Sequence, residues 1–325
     1  MKTLFFGIVL IIFTMSVSAQ KLVNPNATRE ANALYAYLSK ISGKSILSGQ
    51  HNYGHELNRS SDTIRSYTGK YPAVWGTDFG WILGSKLVDE VINQHKKGSV
   101  ITLMYHMPRP FDADTVKRST WKKLTDEQWN DLVTPGTEIN RLWMARMDTV
   151  AFYLKKLQDA KVPVLWRPFH EMNGGWFWWG NRPGPDGYQK MWKLLYDRFT
   201  NYHKLNNLIW VWNANAPRIK KDDDAMAYNL FYPGNDYVDV LAADIYNNDY
   251  KQSHHDQLLA LGKGKLIAMG EIGDVPPPSV LEQQPKWCWF MIWARFPWTD
   301  NTPEEIKALY GSDHVLTRDE VKKKW

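Results

Sequence analysis

Two glutamates stand where an apolar run of strand length meets a loop. Glu171 ends the run 163–171, and Glu271 lies near the end of the run 265–273. Hydrolysis of a glycosidic bond needs one protonated carboxyl group beside the leaving oxygen and one carboxylate across the anomeric carbon. Glu171 and Glu271 could supply that pair, although either glutamate taken alone could also be a solvated loop carboxylate.

The chemistry of such a pair depends on how far apart the two carboxyl groups lie. Retention of configuration requires a separation of about 5–5.5 Å and inversion about 6.5–9.5 Å, and spacing along the chain does not choose between them. Repulsion between two close carboxylates would raise the pKa of the acid without a metal ion. The nearest candidate for a metal cluster, His254-His255-Asp256, is interpreted as a solvated helix start. No cofactor is therefore expected.

The elements that must position these glutamates alternate along the chain. Eight apolar runs are predicted to be strands: 45–51, 73–81, 99–107, 163–171, 208–215, 238–246, 265–273 and 289–296. Helical spacing occurs at 27–41, 87–97, 138–159, 188–203, 253–261 and 303–310. This alternation predicts an α/β protein with a (β/α)₈ TIM barrel, and no glycine-rich phosphate loop favours an open doubly wound sheet instead. A barrel brings the ends of its fourth and seventh strands to one mouth.

The chain termini and composition limit the other possibilities. Residues 1–19 have the pattern of a signal peptide, which predicts an exported protein, periplasmic or secreted, with one catalytic domain over 20–325. No later stretch is apolar enough to span a membrane. The one cysteine excludes an intramolecular disulfide, and the net charge of +6 comes from scattered Lys and Arg, which argues against a nucleic-acid partner. The expected state is a monomer.

Aromatic residues suggest a carbohydrate cleft. The chain has 17 Trp, whose flat faces can stack on sugar rings as well as fill a core. The longest insertion, residues 108–136, follows the third predicted strand and carries Trp121 and Trp129. Its length predicts a wall or lid of the cleft.

Residues 166–180, with the sequence WRPFHEMNGGWFWWG, resemble the acid/base segment of glycoside hydrolase family 26. Further matching segments follow in barrel order: WGTD at 75–78, YHM at 105–107, DIYN at 244–247, GEIG at 270–273 and WARF at 293–296. Together they span nearly the whole chain after the signal. The resemblance implies a barrel that cleaves β-mannan by the retaining double displacement, with Glu171 as acid/base and Glu271 as nucleophile.

The same resemblance implies roles for seven other residues. Tyr246 would hydrogen-bond the nucleophile, Trp293 would form the floor under the attacked sugar, and Trp176 would contact the sugar on the leaving-group side. His170 stands where many related barrels have Asn. His106 and Asp78 would contact hydroxyls near the scissile bond, and Arg167 would hold the end of the fourth strand. Core packing is the alternative for Trp176 and Trp293, and pairing with Arg167 or with backbone donors is the alternative for Asp78.

The substrate is expected to be a β-mannan polysaccharide or manno-oligosaccharides. Related barrels cleave β-1,4-glucan, mixed-linkage glucan or xylan with the same two carboxylates, and a non-catalytic glycan-binding barrel is a further alternative. Whether cleavage is internal or releases mannobiose is left open, because residues 108–136 and 49–68 could each block one end of the cleft.

Overall fold

The computed structural model describes residues 21–221 and 223–321, so the predicted signal peptide lies outside the described residues. The strands are β1 Ile46–Leu47, β2 Gly49–His51, β3 Val74–Asp78, β4 Val100–Tyr105, β5 Val164–Pro168, β6 Leu208–Asn215, β7 Val240–Ile245, β8 Leu266–Ile272 and β9 Val315–Leu316. Strands β2 to β8 form one parallel sheet of seven strands in chain order. Their carboxyl ends therefore share one face.

Residues 287–293, here called the closing segment, join the two edges of this sheet. The N–H of Cys288 donates to the carbonyl of Ile267 on β8 (2.8 Å), and its own carbonyl accepts from the N–H of Leu47 on β1 (2.9 Å). Further along, Ile292 bridges to Gln50 on β2 and to Ile272 on β8. The curled sheet is thereby closed, and the predicted barrel is confirmed.

Two predicted strands differ from those observed. The run 289–296 pairs through single bridges rather than as a continuous strand, because Ala294 adopts a left-handed backbone (φ 34°) and a helix begins at Phe296. The run 45–51 is divided at Ser48, whose N–H donates to Leu316 of the short strand β9 (3.0 Å). Pairing with β9 turns the start of the first strand away from the main sheet.

Helices pack around the sheet. They are α1 Arg29–Ile41, α2 Arg59–Thr68, α3 Ser85–Lys96, α4 Asp126–Leu132, α5 Glu138–Asp159, α6 Tyr188–Asp197, α7 Gln252–Gly262, α8 Pro278–Gln283, α9 Phe296–Thr299, α10 Pro303–Tyr310 and α11 Arg318–Val321. The six predicted helices are all present, and the one predicted at 188–203 continues past α6 as a π-helical turn, Arg198–Tyr202. None of the helices in the described part of the chain is long and apolar enough to cross a bilayer.

Alternate residues of the strands point into the barrel. Leu165, Ile209 and Val240 belong to one buried cluster with α1, whereas their neighbours in sequence pack under the outer helices. Because side chains alternate along a strand, each inward row continues toward the carboxyl end with a period of two. These rows reach three polar side chains there, Arg167, Asn213 and Asp244, all of which are buried.

The insertion 108–136 is partly a packing element. Trp129 on α4 is 3% exposed and belongs to the core, whereas Trp121 is 47% exposed. A capping box at Thr125 starts α4 and fixes the chain between the two tryptophans. The prediction that the insertion forms a wall therefore applies to Trp121 and not to Trp129.

Candidate active site

Glu171 follows β5 in a strained turn. Both Phe169 and Glu171 have left-handed backbones (φ 48° and 53°), and the N–H of Glu171 donates to the carbonyl of Asn213 (2.8 Å). Its carboxyl group is held on both sides, because Asn215 Nδ2 donates to Oε1 (2.6 Å) and Trp176 Nε1 donates to Oε2 (2.6 Å). Strain of this kind persists only where the surroundings fix it.

Gly174 allows Trp176 to reach this carboxyl group. A Cβ atom at Gly174 would lie 2.0 Å from the Trp176 ring, so a larger residue would displace the indole. The two residues belong to the segment that resembles the acid/base region of the family. Here the glycine acts by its small size.

Burial and the nearby charge of Glu271 together raise the pKa of Glu171 to about 7. The hydrogen bonds from Trp176 and Asn215 oppose this rise because they stabilise the ionised form. At neutral pH the group therefore divides between the protonated and the ionised state. A residue that must first donate and later accept a proton requires this property.

A β-bulge turns Glu271 into the barrel mouth. In the pairing of β7 with β8, Ala243 lies opposite Met269 and Asp244 opposite Glu271, so Gly270 is the extra residue. Without this insertion the alternation that points Ala268 inward would point Glu271 outward. A Cβ atom at position 270 would lie 1.6 Å from Asn213 Oδ1. The glycine is therefore required both by the bulge and by the close approach.

Donors hold both oxygens of Glu271. Arg167 Nη2 donates to Oε1 (2.6 Å), the hydroxyl of Tyr246 donates to Oε2, and His170 Nε2 lies 3.6 Å from Oε1. Burial lowers the pKa of His170 far below its usual value, and His106 and Arg167 lower it further. His170 is therefore neutral, and Arg167 supplies the positive charge beside Glu271.

Arg167 on β5 contacts the inward-pointing side chains of two neighbouring strands, Asn213 on β6 and Asp244 on β7. Its Nη1 donates to Asn213 Oδ1 (3.1 Å) and lies 3.5 Å from Asp244 Oδ1. Burial raises the pKa of Asp244 well above its usual value, and the charge of Glu271 adds to this. The positive charge of Arg167 opposes this rise. His170, Asp244 and Glu271 offer atoms within 4.8 Å of one another, but the guanidinium already supplies a cation to two of the three.

His106 and Asp78 form a second buried pair at the mouth. The Nδ1 atom of His106 bonds Asp78 Oδ2, and its backbone N–H donates to Oδ1 (3.0 Å). Burial lowers the pKa of His106, but attraction to Asp78 outweighs it and the net pKa is raised. Asp78 also accepts from the N–H of Gly80 (2.5 Å). Of the alternatives foreseen for it, the structure shows pairing with backbone donors rather than with Arg167.

An aromatic row lines the mouth next to this pair. The Trp293 ring stacks on His51 with centroids 4.3 Å apart, and Trp81 lies 5.4 Å from Trp293. Trp81 is parallel to His106 at 6.1 Å, and His106 is stacked with Trp121 at 6.3 Å. The rings of Trp81, Trp121 and Trp293 are at least partly exposed, and flat exposed rings in a row form a surface suited to successive sugar rings.

The structure places the nine predicted site residues together at the carboxyl ends of the strands, while their roles stay predictions. Sequence reasoning missed others that contact them: His51, Trp81, Asn213, Asn215 and Arg218. Asn213 and Asn215 carried a usable signal, because both end the apolar run 208–215 at the mouth. Arg218 lies in an irregular loop, where no periodicity indicates which side chain turns inward.

At the mouth of this parallel barrel, one carboxyl group is half protonated near neutrality. It lies close to a second carboxylate that has donors on both oxygens. Glycoside hydrolases use this arrangement. A family model described as glycosyl hydrolase family 26 matches residues 23–320. The chain belongs to this family.

Known relatives agree with this assignment. The mannan endo-1,4-beta-mannosidase of Thermothelomyces thermophilus is 36% identical over 93% of this chain, and the chain spans 63% of that protein's length. It spans 53% and 50% of two Piromyces sp relatives of the same name. GH26A from Muricauda sp. MAR_2010_75 is 49% identical with a TM-score of 0.89, covering 91% of this chain and 99% of that one. The Podospora anserina GH26-CBM35 beta-(1,4)-mannanase is 35% identical with a TM-score of 0.79, covering 94% and 69%.

Proposed function

We propose that the protein is a retaining endo-β-1,4-mannanase with Glu171 as acid/base and Glu271 as nucleophile. The observation that carries this proposal is the unequal environment of the two carboxyl groups. Burial and repulsion raise the pKa of Glu171 to about 7, whereas Glu271 accepts hydrogen bonds from Arg167 and Tyr246. Such a difference assigns the acid to one residue and the nucleophile to the other.

In the first step, Glu171 gives its proton to the glycosidic oxygen as the bond from C1 to that oxygen breaks. A carboxylate oxygen of Glu271 forms a bond to C1, which produces a covalent glycosyl-enzyme. Arg167 and Tyr246 hold the nucleophile in place, so little reorganisation accompanies the attack.

In the second step, Glu171 is ionised and accepts a proton from a water molecule that attacks C1. The bond to Glu271 breaks and the sugar leaves with its original configuration. The charge of Glu271 is absent from the covalent intermediate, so its contribution to the raised pKa of Glu171 is absent too. The ionised form needed for this step is thereby favoured.

Mannan is the proposed polymer because the relatives named above match most of this chain and carry the names of mannan-cleaving enzymes. Parallel assays on glucomannan, galactomannan, xylan and lichenan test this choice. Activity on the two mannans is expected, and activity solely on lichenan or xylan would reject it. Full activity of Glu171→Ala and Glu271→Ala would instead reject both the mechanism and the assignment of the pair.

Internal cleavage is proposed over release of mannobiose. In a time course on mannan, endo action gives an early spread of oligomers, whereas a single disaccharide from the start indicates exo action. We also propose that the protein is exported after removal of residues 1–19 and acts as a monomer. Mass spectrometry of the secreted protein, with Gln20 as the expected first residue, and light scattering test these two points.

A further inference from the structure

Arg218 contacts both side chains that hold Glu171. It lies on the loop that follows β6, with a side chain 17% exposed. Its Nη1 donates to Asn215 Oδ1, and its guanidinium carbon lies 5.6 Å from the centre of the Trp176 ring. Asn215 and Trp176 donate to the two oxygens of Glu171. One guanidinium is thus linked to both donors of the acid/base.

The direction of this guanidinium is itself fixed. Asp223 accepts from Nε (3.0 Å) and from Nη2 (2.5 Å), a two-point contact that defines the plane of the group. The backbone of Arg218 is also paired with Ala225 in both directions, at 3.0 and 2.9 Å. The loop therefore presents Arg218 to Asn215 in one orientation.

This contact determines which end of the Asn215 amide faces Glu171. Arginine has only donors, so the amide oxygen must face Arg218 and the amide nitrogen must face the carboxyl group. If Arg218 were absent, the amide could rotate by half a turn and present its oxygen to Glu171. An ionised carboxylate has no hydrogen to offer that oxygen, and the hydrogen bond would be replaced by repulsion.

We propose that Arg218 is a positioning residue that keeps Asn215 in the orientation in which its amide nitrogen donates to Glu171. This inference rests on the proposed function, because Glu171 must act as acid and then as base. It assigns Arg218 no contact with the sugar. Its removal should impair the proton transfers while leaving substrate affinity nearly unchanged.

The titration of Glu171 gives a direct readout. The groups that influence its pKa are Glu271, which raises it, and Trp176, Asn215 and His106, which lower it. If Asn215 no longer donates, the ionised form loses support and the pKa of Glu171 rises. The alkaline limb of the kcat/KM profile, which follows an essential acid in the free enzyme, then moves to higher pH.

The test compares Arg218→Met with three other variants of the same loop. Lys221→Met removes a charge from an exposed residue nearby, and Arg218→Lys restores a donor at the original position. Asp223→Asn removes the opposite charge but also releases Arg218. If Arg218 acted only through its charge, Arg218→Met and Asp223→Asn would shift the alkaline limb in opposite directions, whereas positioning predicts the same direction for both.

Two substrates separate proton transfer from binding. For mannan, we expect kcat/KM of Arg218→Met to fall roughly 10- to 100-fold with KM nearly constant. The kcat/KM of Asp223→Asn should fall by a smaller factor. For 2,4-dinitrophenyl β-mannobioside, whose leaving group needs no proton, kcat/KM should stay within about twofold of the wild type. Arg218→Lys should recover part of the loss, and Lys221→Met should match the wild type.

Three results would each overturn the inference. They are equal losses of kcat/KM on both substrates, a rise in KM that accounts for the loss, and shifts of the alkaline limb in opposite directions for Arg218→Met and Asp223→Asn. Matching thermal unfolding of the variants excludes a loss caused by misfolding. A wild-type enzyme inactive on mannan would reject the proposed function instead, so the two failures are distinguishable.

Discussion

Tyr246 donates its hydroxyl hydrogen to Oε2 of Glu271, while Arg167 donates to Oε1 of the same carboxylate. Burial raises the pKa of Tyr246 well above its usual value, and the charge of Glu271 adds to this, so the phenol remains a donor. Arg167 is fixed in turn by Asn213 and Asp244. The nucleophile is therefore held on both sides before a substrate arrives.

Replacing Tyr246 by Phe should lower kcat/KM on mannan by roughly 10- to 100-fold, because a hydrogen bond to a charged, buried carboxylate is lost. Initial rates over a range of substrate concentrations measure this. Tyr250→Phe is the matched control, since its hydroxyl donates to the backbone carbonyl of Asp274 rather than to a catalytic carboxylate. Equal losses in the two variants would contradict the role of Tyr246.

Removing each carboxyl group should give different chemical outcomes. With an activated aryl mannoside, Glu171→Ala forms the glycosyl-enzyme but lacks a base, so azide should restore turnover and yield a β-configured azide. Glu271→Ala has no nucleophile, and azide attacking from that side should yield the α-configured product. Nuclear magnetic resonance of the products distinguishes these results, and the same configuration from both variants would refute the assignment.

Activity should decline above neutral pH. A raised pKa means that the acid stays protonated up to about pH 7, so the alkaline limb of kcat/KM is expected near that value. Below this limb the protonated fraction of Glu171 is high, and above it the fraction falls tenfold per pH unit. In the residual activity of Glu171→Ala on mannan, this limb should disappear. A limb that persists unchanged would belong to another group.

The two tryptophans of the insertion 108–136 should respond differently to truncation. Trp121→Ala removes an exposed ring from the aromatic row and should raise KM for manno-oligosaccharides while leaving the melting temperature within a few degrees. Trp129→Ala removes a ring that is 3% exposed and should lower the free energy of unfolding by about 3–5 kcal/mol. Calorimetry and kinetics on both variants check this contrast, and a reversed pattern would contradict it.

The barrel and the position of the glutamate pair could be predicted because both depend on regular patterns. Apolar runs alternate with helical spacing, and parallel strands place their carboxyl ends on one face. That is sufficient to bring Glu171 and Glu271 to one mouth. The matching segments then suggest which side chains surround them, including Tyr246 and Trp293.

The remaining features depend on irregularities that have no period. A simple alternation along β8 points Ala268 inward and Glu271 outward, and only the bulge at Gly270 reverses this. The turn at Ala294, which ends the closing segment early, is a single left-handed residue that no propensity favours. Arg218 reaches Asn215 through an irregular loop, so its place in the site depends on tertiary contacts alone.

The single cysteine of the chain lies at the seam of the barrel, since the backbone of Cys288 is hydrogen-bonded to Ile267 on β8 and to Leu47 on β1. Burial raises the pKa of its thiol to about 12, so in the intact barrel the sulfur is both enclosed and unreactive. A thiol reagent can modify it only when the seam parts. The rate of that modification thus reports how often the barrel opens at this seam. The factor by which bound oligosaccharide slows the modification would measure how strongly an occupied cleft stabilises the closed barrel.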